Sequence, residues 1–490
     1  MRRNHTPALI LGVEAIIVAG CAIALRSKSF PLGVRGEWEW LRVPVSPEPI
    51  RLLIAAVGLS LYALLVSLIF RWLSTRATFA REVLSVGFLL VMAVLVQGVA
   101  HLGAPVGYGL EKWVVALHQK GSSGYFTIAK AEAYDTPRFL KDYPVWIQKQ
   151  DALHLGTHPP GLIVLQAFLI HRLEECPPLC RLILDLAPDD VTTMLRVFGS
   201  TNPMTATDRA TLVLTGELTL LACSTTLVPL YWLARKNLPA SMAFATAAFW
   251  PLVPSAILFQ PTADTAFPLL TTLGFAFALR ALDGSRTRLI GLGIACGIVL
   301  GIGMQLTLAF LAVGLIVALV VLFDREARFS QRVTLLVTIG AAFLGITILS
   351  WWVTGANPFL IWWWNQANHA RFYTEFPRSY WAWVVANPIE LAIGLGLPFA
   401  LWAVIGLCRP KSLPRLSVAT LAVLIFLTIG GRSLSEVGRL WIPFMPALLV
   451  ATGHGMQCLG AGPRTVGATI ALVAVQILVL EATIQVVYPI

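Results

Sequence analysis

The chain has 490 residues, of which 57% are hydrophobic and only 12% are charged, and its mean hydropathy is +0.76. This composition excludes a soluble globular protein, whose surface needs more charge, and predicts a membrane protein with many spans. The formal net charge of +11 could indicate nucleic-acid binding in a soluble protein. Here the basic residues form short clusters between apolar runs, as in cytoplasmic loops, so we expect no nucleic-acid partner.

Apolar runs long enough to cross about 30 Å of hydrocarbon recur along the whole chain. They fall at 8–25, 50–70, 83–101, 210–233, 238–258, 262–282, 289–304, 305–323, 333–353, 389–407, 416–430, 440–458 and 466–488. The two central runs are one long stretch, 289–323, which we divide at the polar break "GIGMQLT". We therefore predict an all-α bundle of about 12 to 14 transmembrane helices, the first of them a retained anchor and not a removed signal peptide.

Clusters of Lys and Arg between the runs predict the orientation. Those assigned to the cytoplasmic side are at 2–3, 71–81, 235–236, 280–288, 325–332, 409–415 and 464. The external side then receives 26–49, 102–157, 259–264, 303–307, 354–388 and 430–439. We predict a multi-pass protein of the plasma (inner) membrane with an external or periplasmic active face. Between His158 and Arg209 two topologies stay open: an interfacial or re-entrant helix "GLIVLQAFLIH", or a return crossing within 179–198.

Two external segments, 102–157 and 354–388, are far longer than ordinary connections of about 4–6 residues, and we expect them to carry the function. The second is rich in Trp, Tyr, Asn and Arg, which suits either an interfacial aromatic belt or a surface that meets a polar ligand. The shorter stretch "GVRGEWEWLR" offers Glu37 and Glu39 on the same side. For these two acids we predict a peripheral role.

Polar groups at the external ends of spans are candidates for function, because they are costly near the bilayer. They are His154, His158, Asp264, Gln305, His369, Arg371, Glu436 and Arg439. Structural interpretations compete with this one. His158 precedes two prolines and can cap a helix, Asp264 can favour a helix N-terminus, and Arg439 can anchor the chain at the interface.

A divalent metal ion is an alternative occupant of this region. Asp151, His154, His158 and Asp264 offer a mixed ligand set. Because Pro159 disfavours helical geometry at His158, we assign no metal ligands and no certain cofactor. The seven cysteines contain no CxxC pair, and the stretch "ECPPLC" lacks the second pair that a zinc site needs.

Four stretches, in order, resemble the GT-C superfamily of integral membrane glycosyltransferases, which includes the protein O-mannosyltransferases and the bacterial lipid A sugar transferases. "THPPGLIVLQAFL" is similar to the His-Pro-Pro start of a membrane helix in that family, and "PTADTAFPLLTTLGFAFALRAL" to a span start with Asp264 at the acid position. "GIACGIVLGIGMQLTLAFLAVGLIVAL" resembles a glycine-rich span in which Gln305 stands near the usual Lys. "GRLWIPFMPALLV" resembles the late span that opens with an Arg, here Arg439.

The resemblance covers 83–458, preceded by two transmembrane helices in 1–82 and followed by one in 459–490. It implies a GT-C-like catalytic domain with a large external first loop. The implied activity is transfer of a hexose or pentose from a polyprenyl-phosphate sugar to a hydroxyl group of a glycan, lipid or protein, with inversion at the anomeric carbon. Such a reaction needs a carboxylate that accepts the proton of the hydroxyl and cations for the leaving phosphate.

The sequence departs from the family at the start of the first external loop. "GSSGYFTIAKAEAYD" keeps Tyr125-Phe126 and Ala129, but Ser122 and Ser123 occupy the positions of the usual acidic pair. Serine needs help to act as a base, so we predict that Glu132, Asp135 or Asp151 serves as the catalytic carboxylate. On one helix Glu132 and Asp135 would share a face. The predicted substrate-binding residues are Tyr125, His154, His158, Asp264, Gln305, Arg371 and Arg439.

Two other functions stay open. A transporter or flippase of lipid-linked saccharides would also place polar groups in an apolar bundle, although such groups usually lie near the bilayer midplane in repeated, broken helices. A family member without activity would explain the missing acidic pair.

Overall fold

The computed structural model describes residues 6–27, 33–409 and 414–486. The predicted cytoplasmic residues Arg2, Arg3 and Lys411, the stretch 28–32 of the first external segment and the end of the span predicted at 466–488 lie outside the described residues.

The described residues form 24 α-helices and two pairs of very short strands, which confirms the predicted all-α class. The first twelve helices are α1 Thr6–Arg26, α2 Pro49–Thr75, α3 Phe79–Ala100, α4 Lys112–His118, α5 Tyr125–Ala131, α6 Thr136–Trp146, α7 Gly161–Glu175, α8 Pro177–Leu186, α9 Asp189–Thr201, α10 Ala206–Thr225, α11 Leu227–Ala234 and α12 Ala240–Phe249. The others are α13 Pro254–Leu258, α14 Phe267–Ala281, α15 Arg286–Met304, α16 Ala309–Leu322, α17 Phe329–Thr354, α18 Pro358–Glu375, α19 Tyr380–Leu395, α20 Leu397–Leu407, α21 Arg415–Ile429, α22 Val437–Leu440, α23 Met445–Cys458 and α24 Pro463–Thr483.

The strands tie the segment after α1 to distant parts of the chain. β1 (Gly33–Val34) pairs antiparallel with β2 (Trp38–Glu39) in a small hairpin. β3 (Leu41–Arg42) pairs antiparallel with β4 (Ile484–Gln485), which directly follows α24. The stretch 33–42 is therefore held against the C-terminal end of α24.

Seven helices of the described residues are long and apolar enough to cross a membrane. They are Thr6–Arg26, Pro49–Thr75, Phe79–Gly103, Ala206–Ala234, Arg286–Met304, Phe329–Thr354 and Pro463–Thr483. Together α19 and α20 make an eighth, broken candidate, which bends by 110°. The protein is thus a multi-pass helix bundle with an apolar outer surface suited to lipid.

The number of full-length helices is smaller than hydropathy predicted, because polar or proline-containing breaks shorten several apolar runs. The run at 238–258 forms a helix of only Ala240–Leu252, and the runs at 305–323 and 416–430 form Ala309–Leu322 and Arg415–Ile429. A hydropathy window averages over such breaks, whereas proline and unpaired backbone groups end a helix locally.

Helices approach one another most closely where glycine faces a neighbour, as in the pair α20 and α23. A Cβ on Gly406 would lie 2.2 Å from the Ala451 carbonyl oxygen, and one on Gly455 would lie 2.2 Å from that of Trp402. Small residues at such crossings let two backbones pack directly, which is the main source of helix association in lipid.

The segments predicted to be external meet at one end of the bundle. Hydrogen bonds or ion pairs join Asn365 to Gly156, Trp383 to Glu37, Trp362 to Met304, and Asp264 to Arg439. These pairs join four of the six predicted external segments to one another and the other two, 259–264 and 430–439, to each other. The hydrogen bond from the Leu434 N–H to the Tyr373 hydroxyl connects the two groups. We call this region the loop end.

The segments predicted to be cytoplasmic contact one another as well. Arg235 pairs with Glu82 at 3.0 Å, Lys236 with Asp283 at 2.5 Å and Arg415 with Asp324 at 2.9 Å. α3 begins beside Glu82 and ends at the loop end, and its 22 residues span roughly 33 Å. The two predicted sets of loops therefore lie at the two ends of the bundle.

The stretch between His158 and Arg209 forms three short helices, α7, α8 and α9, of 15, 10 and 13 residues. At 1.5 Å per residue even α7 covers only about 22 Å, which is less than the hydrocarbon thickness. Leu182, Leu186 and Val197 are exposed on α8 and α9. None of the three is long enough to cross the membrane alone, and short helices with exposed apolar residues are typical of interfacial segments.

Candidate functional site

A cleft at the loop end brings together five of the ten predicted site residues. Its lining consists of Ser122, Ser123, Tyr125, His154, His158, Thr262, Ala263, Asp264, Phe267, Arg439 and Leu440. The first five come from the segment 102–157 and its junction with α7, the next four from the start of α14, and the last two from α22. We call it the central cleft.

Asp264 and Arg439 are the charged residues among those that line the central cleft. The Arg439 Nε lies 3.8 Å from Asp264 Oδ2, and its Nη2 lies 2.9 Å from Glu436 Oε2. The Arg439 and Asp264 side chains are 16% and 21% exposed, so the pair is shielded yet reachable from the cleft. Two carboxylates thus fix the guanidinium before any ligand binds.

The backbone before Arg439 is strained. Ser435 and Glu436 have φ angles of 94° and 53°, which non-glycine residues rarely adopt. Such conformations cost about 1–3 kcal/mol each, persist only where surrounding contacts enforce them, and cluster at ligand sites.

Residues of α18 and α19 enforce this backbone. Asn387 Nδ2 donates to the Ser433 carbonyl at 2.7 Å, and the Leu434 N–H donates to the Tyr373 hydroxyl at 3.1 Å. The Arg378 guanidinium donates to the Ser435 hydroxyl at 3.3 Å. The long segment 354–388 therefore supports the strained turn that carries Arg439.

The two histidines of the "HLGTHPPG" stretch lie on the opposite wall. His158 Nδ1 is 2.9 Å from the His154 carbonyl oxygen. A carbonyl only accepts hydrogen bonds, so Nδ1 carries the hydrogen and Nε2 has the free lone pair. The Tyr125 ring packs edge-on against the His158 ring, with centroids 6.0 Å apart.

Burial keeps both histidines neutral. Burial lowers the pKa of His158, helped by the positive charge of Arg439 and opposed by the carboxylate of Asp264. It lowers the pKa of His154 well below the usual range, and Arg439 and His158 act in the same direction. Burial also raises the pKa of Tyr125, so its hydroxyl stays protonated. Near pH 7 the cleft therefore holds one cation, one carboxylate and neutral hydrogen-bonding groups.

The histidine stretch is held by side chains that the sequence analysis did not single out. Asn365 Nδ2 donates to the carbonyls of Gly156 and His158, both at 3.0 Å, and Asn368 Nδ2 donates to that of Gly156 at 2.9 Å. The Tyr143 hydroxyl donates to the His158 carbonyl at 2.9 Å. The signal available in the sequence was the spacing of the two Asn residues, which places them on one face of α18.

Glycine is required at position 156 because the chain folds back on itself there. A Cβ on Gly156 would lie 1.9 Å from the Asp151 carbonyl oxygen and 3.0 Å from Asn368 Nδ2. This close approach lets a single turn present both histidines on one side.

Gln305 acts through its backbone and does not line the central cleft. Its carbonyl accepts the Gly161 N–H at 3.0 Å, and a Cβ on Gly161 would lie only 2.3 Å from the same oxygen. Trp362 Nε1 donates to the neighbouring Met304 carbonyl at 3.1 Å. The helix break therefore supports the start of α7 directly after the two prolines.

Arg371 also lies outside the central cleft lining. Its Nη2 donates to the Gln150 carbonyl at 2.5 Å, and its Nε lies 2.9 Å from Glu375 Oε1. The structure thus gives Arg371 a role in supporting the histidine stretch from α18.

Glu132 and Asp135 line a second, more open pocket. Its lining residues are Glu132, Asp135, Arg138, Phe139, Asp142 and Trp146. Glu132 does not share a helix face with Asp135, because α5 ends at Ala131 and α6 begins at Thr136. Glu132 accepts from Trp146 Nε1 at 2.6 Å, and Asp135 caps α6 through the Arg138 N–H at 3.2 Å.

Asp151 is not among the residues that line either pocket. Its Oδ1 accepts the Leu153 N–H at 3.0 Å, which forms a local turn before His154. Each of the three acids predicted as a base therefore has a local structural partner. Their assignment as the base stays a prediction.

The positions of the usual acidic pair do lie in the central cleft. Ser122 and Ser123 are 4% and 6% exposed. Within the described residues, the Ser122 hydroxyl is buried without a hydrogen-bond partner. Buried polar groups without partners are uncommon, and one that lines a cleft is available to a ligand.

Metal binding was the alternative for the same residues. Among residues 6–27, 33–409 and 414–486, no three His, Cys, Asp or Glu side chains are arranged to hold a metal ion. The set Asp151, His154, His158 and Asp264 thus does not form such a group, since Asp151 is engaged in its own turn.

A scan against protein-family models and a search of curated proteins both give no match for this chain.

Proposed function

We propose that the protein is a membrane glycosyltransferase that moves a sugar from a polyprenyl phosphate to a hydroxyl group of a glycan, lipid or protein. The observation that carries the proposal is the Asp264–Arg439 pair in one cleft with His154 and His158, the two histidines of the "HLGTHPPG" stretch. These residues belong to three separate stretches that resemble the GT-C superfamily. A charged cleft at the end of an apolar bundle suits a substrate with a phosphate head and a prenyl tail.

Arg439 would bind the phosphate. A guanidinium makes two parallel hydrogen bonds to phosphate oxygens and keeps its charge at all relevant pH values. Because Asp264 and Glu436 already orient it, little reorganisation is needed when negative charge develops on the leaving phosphate. The hydroxyls of Tyr125, Ser122 and Ser123 add neutral donors around the same space.

His158 would accept the proton, in place of the carboxylate pair of the family. The oxygen of the acceptor hydroxyl attacks the anomeric carbon, the bond from that carbon to the phosphate oxygen breaks, and its electron pair stays on the phosphate. The hydroxyl proton moves to Nε2 of the neutral His158. The nearby carboxylate of Asp264 then stabilises the imidazolium. A single displacement of this kind inverts the anomeric carbon.

The proposal includes the domain and its location. Residues 83–458 would form the GT-C-like catalytic part, with the loop end on the external or periplasmic face of the plasma membrane. The basic clusters occupy alternate loops along the chain. This pattern supports the orientation, because such clusters favour the cytoplasmic side.

The test is turnover by the full chain in lipid nanodiscs. Wild-type protein is incubated with a panel of radiolabelled polyprenyl-phosphate hexoses and pentoses and with candidate acceptors, and release of polyprenyl phosphate is measured. We expect release with at least one sugar, its loss in Arg439→Ala, and full activity in the control Arg172→Ala. Arg172 is 61% exposed on α7, where it pairs with Glu175 and lies over the Phe168 ring, and it lines neither pocket. If the wild type neither binds nor cleaves any sugar donor, the proposal is wrong.

The same preparation separates the alternatives. Movement of an intact lipid-linked sugar across a vesicle membrane, without bond cleavage, would identify a transporter. Binding without either reaction would identify a family member that has lost its activity.

A further inference from the structure

The segment after α1 reaches the central cleft from outside, through Trp40. Trp40 is only 3% exposed although it belongs to a short external stretch. Its Nε1 donates to Glu390 Oε1 on α19 at 2.9 Å. A peripheral role was expected for Glu37 and Glu39 of this stretch, whereas the structure buries Trp40 against the residues behind both walls of the cleft.

Trp40 contacts the wall that carries Arg439. A Cβ on Gly438 would lie 2.8 Å from the Trp40 ring and 3.3 Å from Glu390 Oε1, so the chain passes directly against both side chains. The backbone N–H groups of Val437 and Gly438 donate to the Glu390 carboxylate. One carboxylate thus holds the indole and the first turn of α22, which contains Arg439.

Trp40 also contacts the wall that carries Asp264. Its ring packs edge-on against Phe259, with centroids 6.4 Å apart and planes at 87°. The Phe259 carbonyl accepts the Thr262 N–H at 2.9 Å, and the Thr262 carbonyl accepts the Thr265 N–H at 3.1 Å. These consecutive turns connect Phe259 rigidly to Asp264.

The stretch itself is anchored to α19. Glu37 accepts the Ser379 N–H at 2.9 Å and Trp383 Nε1 at 2.7 Å. Arg378, which also contacts the strained turn at Ser435, donates to the Glu37 carbonyl at 3.1 Å. Burial acts to raise the pKa of Glu37, but the hydrogen bonds from Ser379 and Trp383, with a smaller contribution from the Arg378 charge, hold it below its usual value and keep this acceptor ionised.

We propose that Trp40 and Glu390 form a positioning unit that sets the separation of Asp264 and Arg439 across the central cleft. Neither side chain lines the cleft, so both act through other residues. The inference deepens the proposed function and rests on it for its kinetic part. A displacement of about 1 Å at a reacting centre can reduce turnover by about 10²-fold, which is the scale that such a unit would control.

The test uses two conservative variants of the full chain. Trp40→Phe keeps an aromatic ring but removes the N–H donor, and Glu390→Gln keeps the shape but replaces one carboxyl oxygen with an NH2 group. Trp363→Phe, at an exposed Trp of α18, is the matched control. We expect kcat to fall about 10- to 100-fold in each test variant with KM changed less than about threefold, because Arg439 is still present to bind the phosphate while its alignment with the reacting atoms is lost.

The double variant Trp40→Phe/Glu390→Gln should be no more impaired than the worse single variant, because the two residues act as one unit. Losses that multiply, or a change confined to KM, would overturn the positioning unit.

Hydrogen–deuterium exchange supplies a readout that does not depend on the reaction. We expect faster exchange in peptides covering 259–266 and 434–441 of both test variants, with no change in α18 and none in the control. If the wild type turns over no sugar while both peptides exchange faster, the proposed function fails and the positioning unit stands. If neither peptide changes, the positioning unit is wrong, whatever the activity.

Discussion

The loop end contains two polar pockets that differ in how their side chains are satisfied. The acids of the second pocket are exposed and bind groups close by in the sequence, as Asp135 does in capping α6. The central cleft joins side chains that are far apart in the chain, since the eight helices α14 to α21 lie between Asp264 and the helix that carries Arg439. A carboxylate with a local partner is explained by folding alone. A shielded charged pair from distant segments, beside a strained turn, instead indicates a binding site.

Removing the cation of the central cleft should have the largest effect. We expect Arg439→Ala to lower kcat/KM by about 10³-fold, because the leaving phosphate loses its oriented positive charge. Arg439→Lys should recover only part of the loss, since an ammonium lacks the planar pair of donors. Initial rates of polyprenyl phosphate release measure both variants. Equal rates for Ala and wild type would show that the cleft is not the site.

Removing the proton acceptor should cost somewhat less. We expect His158→Gln to lower kcat by about 10²-fold, the usual contribution of a positioned base. The fold should be kept, because the His158 backbone carbonyl still accepts from Asn365 and Tyr143. An unchanged kcat would indicate that one of the predicted acids, and not His158, is the base.

The pH profile tests the same residue. Burial lowers the pKa of His158 from its ordinary value of 6.5. A base works when deprotonated, so wild-type kcat should decline as the ring becomes protonated, with the acid limb centred below pH 6.5. The acid limb should disappear in His158→Gln. An acid limb centred above pH 6.5 would contradict the assignment.

Removing hydrogen bonds that hold the "HLGTHPPG" stretch should have a moderate effect on stability and on kcat. Asn365→Ala removes two hydrogen bonds to backbone carbonyls, each of which keeps one other donor, Asn368 at Gly156 and Tyr143 at His158. The expected cost is therefore the net value of the lost bonds, about 0.5–1.5 kcal/mol each. We expect a lower melting temperature and a several-fold lower kcat. Asn357→Ala, at the exposed N-cap of α18, is the control for helix stability alone. An equal loss of kcat in the control would show that the hydrogen bonds of Asn365 have no specific role in catalysis.

The three predicted acids outside the central cleft should give the smallest effect. Glu132→Gln, Asp135→Asn and Asp151→Asn each keep an oxygen that accepts the observed hydrogen bond, and Asn caps a helix as well as Asp. We expect rates within about threefold of wild type, since a base must reach the reacting proton directly or through one water. A drop of about 100-fold in any one of them would identify that acid as the base and overturn the role given to His158.

The comparison of the pockets also explains what the sequence could predict. The helical class was predicted from the apolar composition and its spacing. His154, His158, Asp264 and Arg439 could be singled out because their polarity is unusual in an apolar chain, and the structure places all four in one cleft. The interfacial helices between α7 and α10 were one of two open alternatives, because hydropathy does not measure helix length.

Other features depend on contacts that residue type does not encode. Gln305 contributes a backbone carbonyl, which any residue could supply. Asn365 and Trp40 matter through partners more than 200 positions away, and neither periodicity nor composition can pair such positions. The sequence does not predict the strained turn at Ser435 for the same reason, because contacts with α18 and α19 impose its conformation.

The most direct test of the central claim is photo-crosslinking of a diazirine-bearing polyprenyl phosphate to the full chain in proteoliposomes, with the labelled peptides mapped by mass spectrometry. The account predicts adducts within 121–126, 154–158, 262–267 or 439–440 that compete with unlabelled polyprenyl phosphate and disappear in Arg439→Ala. Adducts confined to 132–146, or adducts in the central cleft that persist unchanged in Arg439→Ala, would contradict it.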